Sequence, residues 1–204
     1  MTEKRRRAPG MSPEERRAMI VAAALPLVAE YGTAVTTSQI ARAAGIGEAT
    51  IFRVFADKEE VLDACMHEAM RPDNAVKQIA SISLDQPLPD RLSEAADALS
   101  AHLTRMGTIA GALYGSGHRR PAREATVQNE QEMERGRIAS IEVIKDAVAE
   151  LFEPDQDRLR LPAGQIAGVF LALTFTRGRV NGLAEGADLI EIFLYGALKA
   201  EEQA

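Results

Sequence analysis

The sequence predicts an all-α protein, and three observations carry that prediction. Apolar residues recur every three and four positions through most of the 204 residues, and no β-branched alternation competes with them. Aromatics are only 4% of the chain while alanine and leucine are abundant, a balance that favours helix. Proline and glycine fall between the periodic stretches and punctuate them. A chain of this length buries a sizeable core without disulfide or metal support.

The elements follow in order. Residues 1–11 show no apolar period, carry Lys4, Arg5, Arg6 and Arg7, and contain Pro9 and Gly10, so they read as a basic arm. Ser12, Pro13 and Glu15 form a helix start, with the hydroxyl placed to accept an orphan backbone N–H. The helix they open buries Ile20, Ala24, Leu27, Val28 and Tyr31 and stops at Gly32; Pro26 predicts a kink in it. Thr36 caps a short helix holding Ile40, Ala41 and Ala44. Gly45 closes that helix, and a second short one carries Ile51 with Val54 or Phe55 inward. From Lys58 an amphipathic helix presents Val61, Leu62, Cys65, Met66 and Ala69. Prolines 72, 87 and 89 leave room for one short helix in 71–91, where a domain boundary is placed: arm 1–11, small domain 12–70, larger domain 71–204. Leu92 to Leu113 follow as a long one-sided helix. Another is expected from about Ala122 to Phe152 with Ile138, Ile141, Ile144, Val148 and Leu151 buried. The last two are expected over about 163–183 and 188–200.

Composition excludes several classes. One cysteine, Cys65, cannot form an internal disulfide, and no secretory leader pattern opens the chain, so a reducing cytoplasm is expected. The most apolar run, Ile166 to Phe175, is too short to span a bilayer, and no membrane partner is expected. His67, His102 and His118 are too widely spaced for a metal pair, and no phosphate loop or Cys-x-x-Cys occurs. No catalytic residue, metal or cofactor is expected. Net charge is −6, yet residues 1–60 carry nine Lys or Arg against eight Asp or Glu. The amino-terminal part is therefore where a polyanion meets least repulsion.

The segment from Thr36 to Phe55 has the pattern of a helix-turn-helix: two short helices crossing at a small residue, Ala41, four positions before the turn glycine. Its second helix leaves Glu48, Ala49, Thr50, Phe52 and Arg53 uncommitted. A helix about 10 to 12 Å wide enters a major groove of roughly 12 Å. Arg53 can donate to guanine or phosphate, Thr50 offers a hydroxyl and a methyl, and Ala49 can pack on a thymine methyl. Glu48 either accepts from cytosine or serves the positive end of the helix dipole.

"VTTSQIARAAGIGEATIFRVFADKEEVL" resembles the DNA-binding domain of TetR-family transcriptional repressors. The family's usual Gly-Val-Ser, Thr-Leu-Tyr, aromatic-His-Phe and Lys-Glu appear here as Gly45-Ile46-Gly47, Thr50-Ile51-Phe52, Arg53-Val54-Phe55 and Lys58-Glu59. Gly47 replaces a capping serine, Phe52 lacks a tyrosine hydroxyl and Val54 replaces a histidine. Phosphate contacts are then left to Lys58, Thr37, Ser38 and the helix N-termini. Arg5, Arg6 and Arg7 can enter a minor groove beside the site or screen phosphates.

The resemblance implies a double-stranded, near-palindromic operator, a homodimer formed by the last two helices, and a small-molecule inducer held among the middle ones. His102, Leu103, Met106, Tyr114, Met133, Phe170, Thr174 and Arg177 are the pocket candidates, combining apolar bulk with scattered polar groups; core packing is the competing role for most. The alternatives are a helix-turn-helix protein that contacts other proteins instead of DNA, and an all-helical enzyme using scattered carboxylates. Salt-dependent selection of a duplex separates the regulator from both.

Overall fold

The structure is a computed structural model that describes residues 11–115, 127–177 and 186–197. Its elements are α1 (Pro13–Tyr31), a 3-10 turn (Gly32–Ala34), α2 (Thr37–Ala43), α3 (Glu48–Ile51), α4 (Lys58–Met70), α5 (Asp73–Ala80), α6 (Leu88–Gly115), α7 (Val127–Glu150), a second 3-10 segment (Glu153–Arg158), α8 (Ala163–Arg177) and α9 (Gly186–Ala197). No strand occurs among the described residues, so the all-α expectation holds. The chain divides into two compact units: residues 1–70 with 106–123, and residues 71–105 with 124–204.

In the first unit the helix ends are fixed locally. Ser12 Oγ accepts the Glu15 N–H while the Glu15 carboxylate accepts the Ser12 N–H, a reciprocal capping box. Thr36 and Gln39 repeat it at α2. α1 runs as one helix through Pro26. It closes at Gly32, whose φ of 54° lies where side chains are strained. Ile20, Ala24 and Val28 of α1 pack with Ile40, Ala41, Ile51, Phe55, Val61, Leu62 and Cys65. Ile109 and Leu113, late in α6, join the same core.

The second unit buries Leu92, Leu99, Ile144, Val148, Phe152, Phe170 and Phe193 together. Phe193 stands edge-on to Phe152 at 6.4 Å and tilted against Phe170 at 5.5 Å between ring centroids. α7 packs against α5 and α8. Arg91 is buried, only 2% exposed; its guanidinium donates to the Leu151 carbonyl and pairs with Asp155, which also accepts from Arg158. Ile144, Val148 and Leu151 are buried as expected, but Ile138 is 49% exposed, a correction to the sequence reading. The buried stripe of α7 begins about two turns later than its apolar period does. Residues 116–126, into which the expected start of this helix falls, lie outside the described residues, as do 178–183 and 198–200, where the last two helices are expected to end.

Candidate nucleic-acid interface

The turn that sets α3 against α2 begins with Gly45 at φ 68°, the left-handed conformation that closes α2 at little steric cost. The Ile46 N–H returns to the Ala41 carbonyl at 3.0 Å, and Ala41 itself is buried. α3 starts at Gly47 with no side-chain cap, as its missing serine predicts. Ile51 and Phe55 are fully buried and pin α3 from behind. With those anchors fixed, α3 turns Glu48 and Ala49 outward and the hydrogen-bonded turn that continues it does the same for Phe52 and Arg53, and all four are exposed; Thr50 is half-buried beside them. Phe52 is 52% exposed, a large apolar group with no core role in this unit.

The remaining expected contacts divide into three groups. Ser38 is exposed and Thr37 half-buried at the start of α2. The Thr37 hydroxyl hydrogen-bonds the Glu48 carboxylate across the turn, so Glu48 joins the two helices of the motif as well as standing at the α3 N-terminus. Lys58 is half-buried, and its Nζ donates to the Thr33 carbonyl at 2.9 Å. One of its three ammonium donors is thereby committed inside the unit. Arg5, Arg6 and Arg7 lie outside the described residues.

One side chain that the sequence reading passed over stands beside this surface. Arg17, on α1, bonds Glu60 at 2.9 Å, reaches the Val54 carbonyl at 3.5 Å, and stacks 4.2 Å from the Phe55 ring centroid. Its position was visible, since it lies three residues ahead of Ile20 on the buried stripe of α1; its partners were not. The Glu60 carboxyl is held below its ordinary pKa, first by the Ala56 N–H and then by Arg17. Burial pushes the Cys65 thiol up to about 12, with Glu68 adding to the shift, which makes it an unreactive core group.

The described pocket candidates are shared between the two units. Met106 and Tyr114 fall in the first unit, Tyr114 being 62% exposed. His102, Leu103, Phe170 and Thr174 fall in the second. Phe170 packs in the aromatic cluster, and the buried Thr174 hydroxyl donates to the Phe170 carbonyl one turn back. His102 is 4% exposed with Nδ1 unpartnered; burial, and secondarily Arg105, lowers its pKa. The side chains of Met133 and Arg177 lie outside the described residues. A cleft of about 420 Å³ opens instead beside Leu84, Leu88, Arg91, Asp155, Arg158 and Leu194.

This helix-turn-helix, backed by α1 and α4, is of a known class. Residues 20–65 match the family model described as bacterial regulatory proteins, tetR family, and the chain carries that family's amino-terminal module. The fold as a whole is similar to that of a protein from Mesorhizobium loti MAFF303099 assigned to the TetR-family transcriptional regulators. That pair shares 14% identity over 93% of this chain and 100% of the other, at a TM-score of 0.58. A transcriptional regulator from Rhodococcus sp. Rha1 shares 18% identity over 91% and 97%, at 0.51. The superantigen PfiT shares 19% over 93% and 100%, at 0.54. At such identities the likeness is one of fold.

Proposed function

We propose that this protein is a homodimeric transcriptional repressor of the cytoplasm that binds a near-palindromic duplex and leaves it when a small molecule binds the second unit. The observation that carries the reading is the row Glu48, Ala49, Phe52 and Arg53, exposed on α3 and the turn that continues it, whose opposite side is held by Ile51 and Phe55. Such a helix can enter a major groove without disturbing its own core. Arg53 and Thr50 are assigned to base edges, Ala49 and Phe52 to apolar contacts in the groove, and Lys58, Thr37 and Ser38 to the backbone. Arg5, Arg6 and Arg7 are assigned to the flanking minor groove.

Support for a dimer comes from apolar side chains left uncovered in one chain. Val169 and Leu173 on α8 are 51% and 36% exposed, and Ile192 and Tyr195 on α9 are 64% and 77% exposed. Each pair follows helical spacing, so each helix offers a continuous face for a second copy. Reading such a duplex requires of the pair that its two recognition helices stand about 34 to 36 Å apart, one turn of B-form DNA. An inducer works in this scheme by favouring a dimer in which that spacing fails. Of the expected pocket residues, His102, Leu103, Phe170 and Thr174, which fall in the second unit, remain the proposed pocket set.

The rival is a protein that keeps this fold and contacts proteins instead of DNA. It is favoured by the fold's occurrence in a protein named a superantigen and by the commitment of Lys58 to Thr33. Selection of duplexes from a random library, followed by titration at several salt concentrations, decides between them. The repressor reading requires a two-fold symmetric consensus and steep salt dependence. Recovery of no consensus at low salt sinks it.

A further inference from the structure

Beyond the residues already assigned to DNA, we infer that Arg17 is a positioning residue that sets the pose of the recognition helix, holding its carboxyl-terminal end without touching the duplex. This inference rests on the proposed DNA-binding role, although its structural half can be tested without DNA.

α3 is only Glu48–Ile51, too short to hold an orientation by its own hydrogen bonds. Its amino-terminal side is held at the turn by Gly45, Ile46 and the Thr37–Glu48 hydrogen bond. At its far end the last carbonyls have no continuing helix to serve them and rely on the turn that follows. There the Val54 and Phe55 N–H groups both return to the Ile51 carbonyl at 2.9 Å. Arg17 closes this end from outside. Its guanidinium reaches the Val54 carbonyl, lies over the Phe55 ring and pairs with Glu60. Glu60 in turn accepts the Ala56 N–H at 2.7 Å, and its own N–H donates to Asp57 at 2.8 Å. The chain leaving the recognition helix is thus fastened to α1 and α4 through one cation.

The stacking favours arginine. A planar guanidinium can lie flat on the Phe55 ring while its Nη1 alone donates to both Glu60 and Val54, whereas a lysine ammonium is a point charge on a flexible stem. Arg17 is partly exposed, with 41% of its side chain open, yet its charge is matched by Glu60. It therefore differs from a phosphate contact in one measurable way: removing it should leave the number of released counterions unchanged.

The test uses the full chain with Arg17→Lys, Arg17→Met and Glu60→Gln. In hydrogen exchange, the amides of Val54, Phe55 and Ala56 should exchange about fivefold faster in Arg17→Lys, while those of Val28 and Leu62 do not change. In duplex binding, the ratio of selected to random affinity should fall about fivefold in each variant, with the same slope of log affinity against log salt as the unmodified protein. Unchanged exchange at 54–56 overturns the clamp. A slope shallower by about 0.9 in Arg17→Met converts Arg17 into a phosphate contact and overturns the inference as well. If the unmodified protein selects no duplex, the repressor reading falls, and the exchange result still decides whether Arg17 holds the helix end.

Discussion

Arg53 and Lys58 stand near the same surface but are held differently, and replacing each by alanine should separate base reading from backbone anchoring. Arg53 is exposed and makes no side-chain hydrogen bond among the described residues, so Arg53→Ala should change folding stability by less than about 0.5 kcal/mol. If it contacts a base edge, its loss costs about 1 to 3 kcal/mol of binding to the selected duplex, or about 5- to 150-fold. Binding to random duplexes should change far less. Lys58 is half-buried and donates to Thr33 at 2.9 Å. Lys58→Ala should therefore cost about 1 to 2 kcal/mol of stability, because the Thr33 carbonyl loses a charged donor. It should also weaken selected and random duplexes alike and shallow the salt slope by about 0.9. The assay pairs fluorescence-anisotropy titrations at four salt concentrations with urea unfolding at fixed protein concentration. Equal losses on selected and random duplexes for Arg53→Ala would refute base reading by Arg53. An unaltered salt slope in Lys58→Ala would leave the lysine a structural role only.

Three further outcomes are expected. Arg91→Met should destabilise the protein by about 3 kcal/mol in urea unfolding, since it deprives the partly buried Asp155 and the Leu151 carbonyl of their shared donor. The double variant with Asp155→Leu should recover much of that loss, because the partly buried carboxylate, left with only the exposed Arg158 as its partner, is gone; no recovery would contradict the pairing argument. His102 has a lowered folded-state pKa, so its neutral form stabilises the fold fully above the unfolded value near 6.5. That contribution is lost as pH falls from there through the lower folded value, because the unfolded chain binds the proton first. The fall in melting temperature on acidification from pH 7.5 should accordingly be smaller in His102→Gln. Finally, Ile192→Asp with Tyr195→Asp should shift the molecule to a monomer in light scattering while preserving helix content, since both side chains are exposed within one chain. A dimer that survives both changes places the interface elsewhere.

Much of the amino-terminal unit was legible because its determinants are local. The Ser12–Glu15 and Thr36–Gln39 capping boxes, the stops at Gly32 and Gly45, and the apolar period of α1 and α4 each involve residues a few positions apart. Even the outward row on α3 could be read, since burying Ile51 and Phe55 leaves helical geometry one choice for their neighbours. Ile138 shows where such reasoning ends: its period matches the buried stripe, but whether a neighbouring helix extends far enough to cover it is not encoded in spacing.

The sequence by itself determined the helical class, the order of elements and the helix-turn-helix with its outward-facing residues, because periodicity, caps and turn glycines act over one or two turns of chain. Only the tertiary structure decided the polar partnerships: Lys58 on Thr33, Thr37 on Glu48, Arg17 on Glu60 and Phe55, and Arg91 on Asp155. Those pairs span 11 to 64 residues of sequence. A long side chain has many acceptors within reach of its stem, and the packing of distant helices selects among them.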